Sequence, residues 1–261
     1  MGEYIVTLMD ASADTNKLVK RINENKESQS FSLNEWIFSD LTLDGFSKIF
    51  ELCSGTGEQS ECFVNLISSD TTITLSDISG DACDLLKKKF VKFDNVKIVN
   101  KEMDDLLDTL NEQFDMIFVS YGLYYSQYSE DILCKKIARL LKPRGKFVVV
   151  GPYIGNNNEL FGFLASLGVK VPKAVIYCCD NFMQNILLEM NKLSSDVRLR
   201  FVENKQQWRS LESLLSYWQN STFYDSRNEE LVKTSLKSFF EKNKCFQITK
   251  KIAKFEFTIG M

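Results

Sequence analysis

The sequence predicts an α/β fold with a mostly parallel sheet, for three reasons. Between residues 46 and 150, short apolar runs alternate with stretches of helical spacing, which is typical of parallel strands joined by crossover helices. The stretch 48–58, Lys-Ile-Phe-Glu-Leu-Cys-Ser-Gly-Thr-Gly-Glu, predicts a buried strand, a glycine turn and the start of a helix. Near the end of the chain, residues 252–257 alternate in polarity, which predicts a last strand.

The other elements follow in order along the chain. Helical spacing at 16–22 and 33–41 predicts two helices before the first strand, separated by a polar segment at 23–32 with Ser32 as a candidate N-cap. Residues 140–150 predict a turn into the fifth strand. No internal repeat or low-complexity linker divides the chain, so we expect a single domain. The remaining predicted strands are 73–77, 96–99, 114–121, 198–202 and 246–259, and the remaining predicted helices are 59–67, 81–93, 132–141, 159–195, 211–218 and 228–243.

Composition places the chain among ordinary globular proteins. Its 261 residues suffice for one large domain, and 44% of them are apolar and 26% charged. The net charge of -3 argues against a nucleic-acid binder with a broad basic face and favours a small-molecule partner. No apolar run approaches the ~20 residues that span a bilayer, and no basic flank precedes an apolar stretch at the N-terminus. We therefore expect a cytoplasmic protein without a membrane partner, and its oligomeric state stays open.

The chain has no histidine and seven cysteines. Without histidine, Ser-His-Asp and Cys-His catalysis and histidine-ligated zinc or iron are excluded, and we expect no metal. The cysteines contain no Cys-x-x-Cys pair, which favours reduced thiols in a cytosolic protein. The adjacent Cys178 and Cys179 are open to two interpretations, a redox pair or apolar packing.

The residues around the glycine turn indicate the kind of ligand it holds. A dinucleotide fingerprint requires a third glycine three places after Gly57, where this chain has Ser60. Glu51 and Glu58 flank the turn and would repel a pyrophosphate at that range. They favour a cationic ligand without phosphate, such as S-adenosylmethionine with its amino group and sulfonium. A glycine turn that holds no ligand is the alternative.

The segment 51–57, Glu-Leu-Cys-Ser-Gly-Thr-Gly, resembles the first motif of the class I S-adenosylmethionine-dependent methyltransferases, Glu-x-Gly-x-Gly-x-Gly. The resemblance implies that Glu51, Cys53, Gly55 and Gly57 bind S-adenosylmethionine and its product S-adenosylhomocysteine. Cys53 stands where the family usually has its first glycine. The implied fold is a seven-stranded, mostly parallel, Rossmann-like α/β sandwich. Along the chain it would consist of a helical cap or lid (1–45), a cofactor-binding core (46–155), substrate-side helices inserted before the last hairpin (156–245) and a final strand (246–261).

Later positions extend this cofactor site. Asp77 closes the second predicted strand about 20 residues beyond the glycines, the spacing at which a carboxylate reaches a ribose diol. Alternatively, Asp77 caps the helix that follows. The adjacent Ile78 is placed with the cofactor. The resemblance also implies an acid and an apolar residue against the adenine, by position Glu102 and Met103, with the acids at 104 and 105 as close competitors.

The fourth predicted strand resembles the family's fourth motif. It is entered by Asp115, which lies at the end remote from the ligand crevice and is interpreted as structural. At its carboxyl end, Ser120 is placed with the cofactor and Tyr121 with the substrate. Where the family commonly has Leu-His-His, this chain has a leucine followed by Tyr124 and Tyr125. Since tyrosine with a pKa of ~10 is a poor base near neutrality, the catalytic group stays unknown, with the three tyrosines as candidates. Tyr125 is also placed with the substrate, and helix packing is the alternative for at least one of Tyr124 and Tyr125.

The segment 140–146, Leu-Leu-Lys-Pro-Arg-Gly-Lys, resembles the family's Leu-Lys-Pro-Gly-Gly turn, with arginine in place of one glycine. Tyr153 and Asn157 follow the fifth strand, where an open parallel sheet binds ligands, and asparagine suits a polar, hydroxylated or amide-bearing substrate. Trp218 and Tyr224 lie in a mixed aromatic and polar segment of the kind that walls substrate pockets. A solvated turn and loop packing are the respective alternatives.

The function hypothesis is methyl transfer from S-adenosylmethionine to an oxygen or nitrogen atom of a small polar metabolite. Alignment of the acceptor behind the methyl group can supply ~7 to 11 kcal/mol of barrier lowering, which makes a dedicated base optional. The Lys- and Asn-rich composition is typical of an AT-rich bacterial genome, where such enzymes often serve natural-product or surface-glycan pathways. Three alternatives stay open: a nucleic-acid or tRNA methyltransferase, a catalytically silent S-adenosylmethionine-binding subunit, and a nicotinamide oxidoreductase.

Overall fold

The computed structural model describes residues 14–260. The strands are β1 Lys48–Leu52, β2 Thr72–Asp77, β3 Val96–Asn100, β4 Phe114–Ser120, β5 Leu141–Pro152, β6 Ser194–Trp208 and β7 Phe246–Ile259. The α-helices are α1 Thr15–Ser28, α2 Leu33–Phe38, α3 Glu58–Leu66, α4 Gly80–Lys89, α5 Met103–Thr109, α6 Glu130–Arg139, α7 Asn158–Ser166, α8 Lys173–Asp180, α9 Phe182–Asn191, α10 Leu211–Gln219 and α11 Glu229–Lys242. Short 3-10 helices lie at Leu123–Tyr125 and Ser226–Asn228.

The strands form one sheet in the order β3-β2-β1-β4-β5-β7-β6. β1 pairs in parallel with β2 and β4, β2 with β3, and β4 with β5. Ile49, Phe50 and Leu52 of β1 are fully buried, which explains the continuous apolar run of this central strand. The strand order reverses between β1 and β4, and the carboxyl ends at such a switch point are where open α/β sheets bind ligands. The predicted fold class, a mostly parallel seven-stranded α/β sheet, is confirmed.

The described chain divides into two compact units. We call the first the sheet unit, which combines residues 34–151, 182–201 and 253–260 and contains β1 to β4 and most of β5. We call the second the helical unit, which combines residues 14–33, 152–181 and 202–252 and contains α1, α7, α8, α10 and α11. Each unit is assembled from separated stretches, so the functional segments expected at 1–45, 46–155, 156–245 and 246–261 stay predictions. Residues 1–13 of the expected cap, and residue 261, lie outside the described residues.

The turn predicted at 140–146 is instead part of β5. The register between β4 and β5 shifts between Phe114 and Met116, because residues 142–145 bulge out of the ladder. A Cβ on Gly145 would lie 2.8 Å from a backbone oxygen of this bulge. The glycine of the family-like segment is therefore required by the tight bulge, and the strand continues through it.

Two predicted helical boundaries also differ from the structure. The stretch predicted as helical at 159–195 is broken into α7, α8 and α9, because Gly168 takes a left-handed φ of 76° and Pro172 begins α8 as its N-cap. The polar segment after the first helix is shorter than predicted, since α1 continues to Ser28, whose hydroxyl donates to the carbonyl oxygen of Glu24 at 2.8 Å.

None of the helices in the described part of the chain is long and apolar enough to cross a bilayer.

Helix α2 packs on one face of the sheet unit. Phe38 contacts Phe63 of α3 and Phe118 of β4, with ring centroids 4.8 and 6.1 Å apart. At the start of α2, the Asn34 side chain donates to the carbonyl oxygen of Glu58 at 3.1 Å. These contacts pack α2 against the sheet face and the first turn of α3, and a lid role for this segment stays a prediction.

Asp115 has the structural role that its place at the start of β4 predicts. Its carboxylate accepts hydrogen bonds from the backbone N–H groups of Ser47 and Lys48 at 2.9 and 2.8 Å and pairs with the Lys142 ammonium at 2.8 Å. Burial alone would raise the pKa of Asp115, but the hydrogen bonds from Lys142, Ser47 and Lys48 lower it below its ordinary value. Asp115 therefore fastens the amino ends of β1 and β4 together.

Replacing Asp115 with asparagine is expected to lower the free energy of unfolding by about 1–3 kcal/mol near neutral pH, because the amide keeps an acceptor oxygen but loses the charge that pairs with Lys142. Since the pKa of Asp115 is lowered in the folded state, its contribution is present above the unfolded pKa of ~4 and is lost as the pH falls through the folded pKa. Chemical denaturation near neutrality and at about pH 3 measures the difference, which should shrink in acid. An equal difference at both pH values would contradict this account.

Candidate cofactor site

The glycine turn after β1 is a tight loop at the switch point of the sheet. Cys53, Gly55 and Gly57 all take left-handed backbone conformations, with φ of 55°, 52° and 78°. The N–H of Ser54 donates to the carbonyl oxygen of Ser76 at 2.8 Å, which ties the turn to β2. A left-handed residue with a side chain is uncommon, and such residues cluster at functional sites.

Gly57 is required by the packing of a helix against the turn. A Cβ at this position would lie 2.6 Å from Cδ2 of Leu86 and 3.2 Å from Cε2 of Phe90, so α4 occupies the space that a side chain would need. The sequence attributed this glycine to the tightness of the turn and to the close approach of a ligand. The left-handed φ agrees with the first reason, the packing of α4 adds a further one, and the approach of a ligand stays a prediction.

Asp77 joins the end of β2 to the glycine turn. Its Oδ2 accepts a hydrogen bond from the N–H of Gly55 at 2.8 Å, and its Oδ1 accepts one from the N–H of Ser79 at 2.9 Å. Burial raises the pKa of Asp77, although the backbone N–H groups oppose this shift. The N-cap of α4 is Ser79, so Asp77 does not cap that helix directly and instead braces the turn.

Glu51 is buried at the end of β1 and bonded to α3. It is 1% exposed, and its Oε2 accepts a hydrogen bond from the Ser60 hydroxyl at 2.7 Å. Burial raises the pKa of Glu51 to about 8, which the Ser60 bond partly offsets. The buried carboxyl group of Glu51 therefore holds its proton more strongly than an exposed glutamate does. Ser60 stands where a dinucleotide fingerprint has its third glycine. Its role here is to donate this hydrogen bond to Glu51.

The acids after β3 are sorted by their hydrogen bonds. Asp104 accepts bonds from the Ser126 hydroxyl and from the N–H of Gln127, both at 2.7 Å, so it holds the loop that follows β4. Glu102 is the N-cap residue of α5, and burial raises its pKa, with Asp104 adding to the shift. Met103 is buried, and its Sδ lies 3.9 Å from Sγ of Cys53. Of the competing acids, Asp104 is therefore committed to the loop, which leaves Glu102 and Asp105 as candidates beside Met103.

The carboxyl end of β4 carries the predicted tyrosines. Ser120 ends the strand, and Tyr121 follows with a left-handed φ of 56°. Tyr124 and Tyr125 form a 3-10 turn with their ring centroids 4.7 Å apart, and Tyr124 also packs edge-on against Phe182 at 5.9 Å. Tyr124 is thus at least partly a packing aromatic, whereas Tyr121 sits at the strained end of the strand.

The predicted cofactor residues belong to one compact unit. The turn, Asp77, the half-exposed Ile78, the start of α5 and the end of β4 all lie in the sheet unit. Residues 49–145, which include every one of these positions, match the sequence model of a family described as a methyltransferase domain. Residues 49–145 therefore match a methyltransferase domain, in agreement with the resemblance drawn from the sequence.

Relatives of this methyltransferase domain differ in how much of the chain they cover. UbiE of Pseudomonas savastanoi pv. phaseolicola, a ubiquinone/menaquinone biosynthesis C-methyltransferase, is 25% identical over 107 residues, which are 40% of this chain and 41% of UbiE. The chain thus spans about two-fifths of the length of the curated relatives it matches. The solved plantazolicin methyltransferase BpumL, in complex with a triazolic desmethylPZN analog and S-adenosylhomocysteine, is 13% identical with a TM-score of 0.55, covering 100% of this chain and 98% of that one. The [4+2]-cyclase SpnF is 13% identical with a TM-score of 0.54, over 88% of this chain and 80% of that one. At these identities, the two solved structures establish a shared fold.

Replacing Glu51 with glutamine is expected to flatten the pH dependence of the stability of the methyltransferase domain. Because the pKa of Glu51 is raised on folding from 4.5 to about 8, the folded state binds more protons between these values, and stability falls as the pH rises through them. The free energy of unfolding, measured by denaturant titration across this range, should fall less in the variant than in the wild type. Ser60→Ala removes the bond that lowers the pKa and should extend the fall to higher pH, whereas identical profiles for all three proteins would refute the assignment.

The predicted substrate residues Tyr153, Asn157, Trp218 and Tyr224 belong to the helical unit. Tyr153 is half-buried, and its N–H donates to the carbonyl oxygen of Lys251 at 2.9 Å. Asn157 is 6% exposed, takes a left-handed φ of 64°, and its side-chain oxygen accepts a bond from another lysine. Asn157 is therefore held in place by a left-handed turn and a part-buried hydrogen bond, and a contact with substrate stays a prediction.

Trp218 and Tyr224 pack on each other. Trp218 is 0% exposed, and its ring meets that of Tyr224 edge-on at 5.0 Å. The Tyr224 hydroxyl donates to the Glu229 carboxylate, a bond that raises the pKa of Tyr224 to about 12. Trp218 offers no surface to a substrate in this structure and follows the loop-packing alternative. Tyr224 is half-buried with its hydroxyl bonded to Glu229, and its contact with substrate stays a prediction.

The helical unit also contains an open polar groove of about 490 Å³ that the sequence did not single out. Opposite charges face each other there, with the Lys251 ammonium 3.5 Å from the Glu203 carboxylate. Glu159 accepts bonds from the N–H and hydroxyl of Thr249 at 3.0 and 2.5 Å. Gly155 lines the groove and belongs to the segment after β5 that the sequence proposed for substrate. The sequence therefore predicted one segment of the groove but none of its charged side chains.

The cysteines are all free thiols. Burial raises the pKa of Cys178 to about 12 and that of Cys179 to about 11, so both stay protonated and unreactive. This supports the packing interpretation of the adjacent pair. Among residues 14–260, no group of three or more metal-ligating side chains is arranged to hold an ion.

Proposed function

We propose that this protein transfers a methyl group from S-adenosylmethionine to an oxygen or nitrogen atom of a small polar metabolite. The observation that carries the proposal is the left-handed turn after β1 that Asp77 braces from the end of β2. This arrangement sets a carboxylate beside a narrow turn at the switch point of the sheet, where open α/β sheets bind their ligands. The braced turn contains the segment 51–57 that resembles the family's first motif, and its bond to Asp77 explains the spacing between them. Both lie within the residues that match the methyltransferase model.

The side chains around the turn fit the cofactor. Each carboxylate oxygen of Asp77 accepts one backbone bond and has a further lone pair, so ribose hydroxyls would add to the existing bonds without displacing them. Glu102 would accept from the adenine amine, and Met103 would cover the ring. When bound, S-adenosylmethionine supplies a methyl group already activated on a sulfonium.

The contribution of the chain to catalysis is orientation. Tyr121 and Tyr125 follow the end of β4, next to the crevice, where their hydroxyls would donate to a polar acceptor. Alignment of this kind can supply ~7 to 11 kcal/mol of barrier lowering. Since the sequence has no histidine, an acceptor that is already nucleophilic, such as a neutral amine, fits these residues better than an alcohol that must lose a proton.

Two observations favour other outcomes on the same scaffold. The curated relatives are named C-methyltransferases, which makes a carbon acceptor the second candidate. The similar structure of SpnF is named a [4+2]-cyclase, which keeps a cofactor-binding protein without methyl transfer as the third. A nucleic-acid acceptor is disfavoured by the net charge of -3.

We place this activity in a reducing, cytoplasmic compartment of a bacterial cell. The seven free thiols support a reducing compartment. The matched curated relatives are Pseudomonas proteins, which supports a bacterial setting.

The first test is calorimetric titration of the full chain with S-adenosylmethionine, S-adenosylhomocysteine and NAD in parallel. The proposal expects binding of the first two and no heat from NAD. The second test incubates the protein with methyl-labelled cofactor and a bacterial metabolite extract, with RNA and protein fractions as separate arms. Label in the small-molecule fraction, located on oxygen or nitrogen by mass spectrometry, supports the proposal. The proposal is overturned by label on carbon, by label in RNA, or by binding of the cofactor without any transfer. Each of these results selects one of the alternatives instead.

A further inference from the structure

The residues that follow β1 and β4 approach each other very closely. These strands pair in parallel up to Leu52 and Val119, so Cys53 and Gly122 both lie just beyond the paired ends. A Cβ built on Gly122 would lie 2.3 Å from Cβ of Cys53 and 2.7 Å from its Sγ. The Sγ can turn away by rotation, but the Cβ is fixed by the backbone. A side chain at 122 is therefore incompatible with the side chain at 53 unless the turn itself moves.

The backbone angles show which position needs glycine for its own conformation. Gly122 has φ -131° and ψ -26°, on the side of the map where residues with side chains belong. Cys53 has φ 55°, the left-handed region that favours glycine. The glycine at 122 is thus explained by its contact with Cys53, whereas the backbone at 53 would itself favour a glycine.

The Cys53 side chain also reaches toward the adenine side of the predicted site. Its Sγ lies 3.9 Å from Sδ of Met103, the buried first residue of α5. The thiol is therefore placed between the end of β4 on one side and the start of α5 on the other. A shift of the turn at Cys53 would move the surface that Met103 offers to a ligand.

We propose that Cys53 and Gly122 act as one positioning pair for the cofactor turn, in which the glycine missing from the first motif at 53 is compensated by a glycine at the end of the neighbouring strand. The thiol occupies the space that residue 122 leaves open and supports Met103 from behind. As a statement about cofactor binding, this inference rests on the proposed function, whereas the steric coupling of the two residues does not.

The test compares the wild type with Gly122→Ala, Cys53→Gly, the double variant of these two, and Cys53→Ser combined with Gly122→Ala. Thermal unfolding and calorimetric titration with S-adenosylhomocysteine are measured for each full-length protein. Gly122→Ala is expected to lower the melting temperature by about 5 °C or more and to weaken binding at least ~10-fold. Cys53→Gly removes the obstructing Cβ, so the double variant should return to within about 3-fold of Cys53→Gly alone. Serine keeps a Cβ at the same place and should not rescue.

The decisive comparison is between glycine and serine at position 53. The pair is overturned if the double variant has the same melting temperature and affinity as Gly122→Ala. It is also overturned if serine at position 53 restores these two values as fully as glycine does. Should Gly122→Ala fail to fold, recovery of folded protein in the double variant but not in the serine variant supports the pair, and recovery in neither overturns it. If the wild type binds no S-adenosylhomocysteine, the proposed function fails, and the melting temperatures still decide the coupling.

Discussion

Replacing Gly57 with alanine is expected to lower the free energy of unfolding by about 2–4 kcal/mol and to remove measurable binding of S-adenosylhomocysteine. The left-handed φ of 78° costs about 1–2 kcal/mol for a residue with a side chain. The added methyl would also lie 2.6 Å from Cδ2 of Leu86, and overpacking of this kind costs about 1–3 kcal/mol. Because Leu86 is fully buried, relief of the clash must move its side chain, α4 or the turn. Urea denaturation and calorimetric titration measure the two effects.

Gly45 provides a matched control for the backbone term. It has the same φ of 78°, but nothing lies within 4 Å of where its Cβ would be. Gly45→Ala should therefore cost only the conformational term of about 1–2 kcal/mol and leave cofactor binding unchanged. Equal losses of stability in the two variants would mean that Leu86 does not confine Gly57, and the packing explanation would be withdrawn.

The order of the elements was predictable because the patterns that define it are local. The continuous apolar run of β1 and the alternation of β7 are properties of neighbouring residues, and both strands lie where the sequence placed them. The spacing from the glycines to Asp77 is also local, since it spans one helix and one strand. The break at Pro172 was a local signal as well, and the prediction of one long helical stretch there gave it too little weight.

The roles of individual side chains depended on tertiary contacts that the sequence does not display. Glu51 reads as a charged acid beside the turn, but its bond to Ser60 and its burial follow from the packing of α3 on β1. Trp218 and Asn157 stand in segments with the composition of a binding site, yet both are buried. The close contact of Cys53 with Gly122 joins positions 69 residues apart (122 minus 53). Hydrophobic periodicity carries no information about such pairs.

Replacing Asp77 with asparagine is expected to weaken binding of S-adenosylmethionine and S-adenosylhomocysteine at least ~100-fold, equivalent to about 3 kcal/mol. The carboxylate accepts from Gly55 and Ser79 with different oxygens, whereas an amide has only one acceptor oxygen and would direct its NH₂ group at an N–H. The turn would lose one bond from a charged acceptor, worth about 1.5–3 kcal/mol, and the ribose hydroxyls would lose their carboxylate. Calorimetric titration measures the affinity, and denaturation measures the turn.

Asp115→Asn is the matched control for this prediction, because Asp115 also accepts two backbone N–H bonds but lies at the opposite ends of the parallel strands. Both variants should lose stability, and only Asp77→Asn should lose affinity. If Asp77→Asn loses stability while its affinity matches that of Asp115→Asn, the carboxylate braces the turn without touching the ribose. If its affinity falls while stability is unchanged, the bond to Gly55 does not hold the turn, and the carboxylate acts on the ligand alone. If Asp77→Asn loses both stability and affinity while Asp115→Asn loses only stability, the same chemical change weakens cofactor binding at one end of the strands and not at the other. The carboxylate at the carboxyl end then has a role in binding, and the one at the amino end is structural.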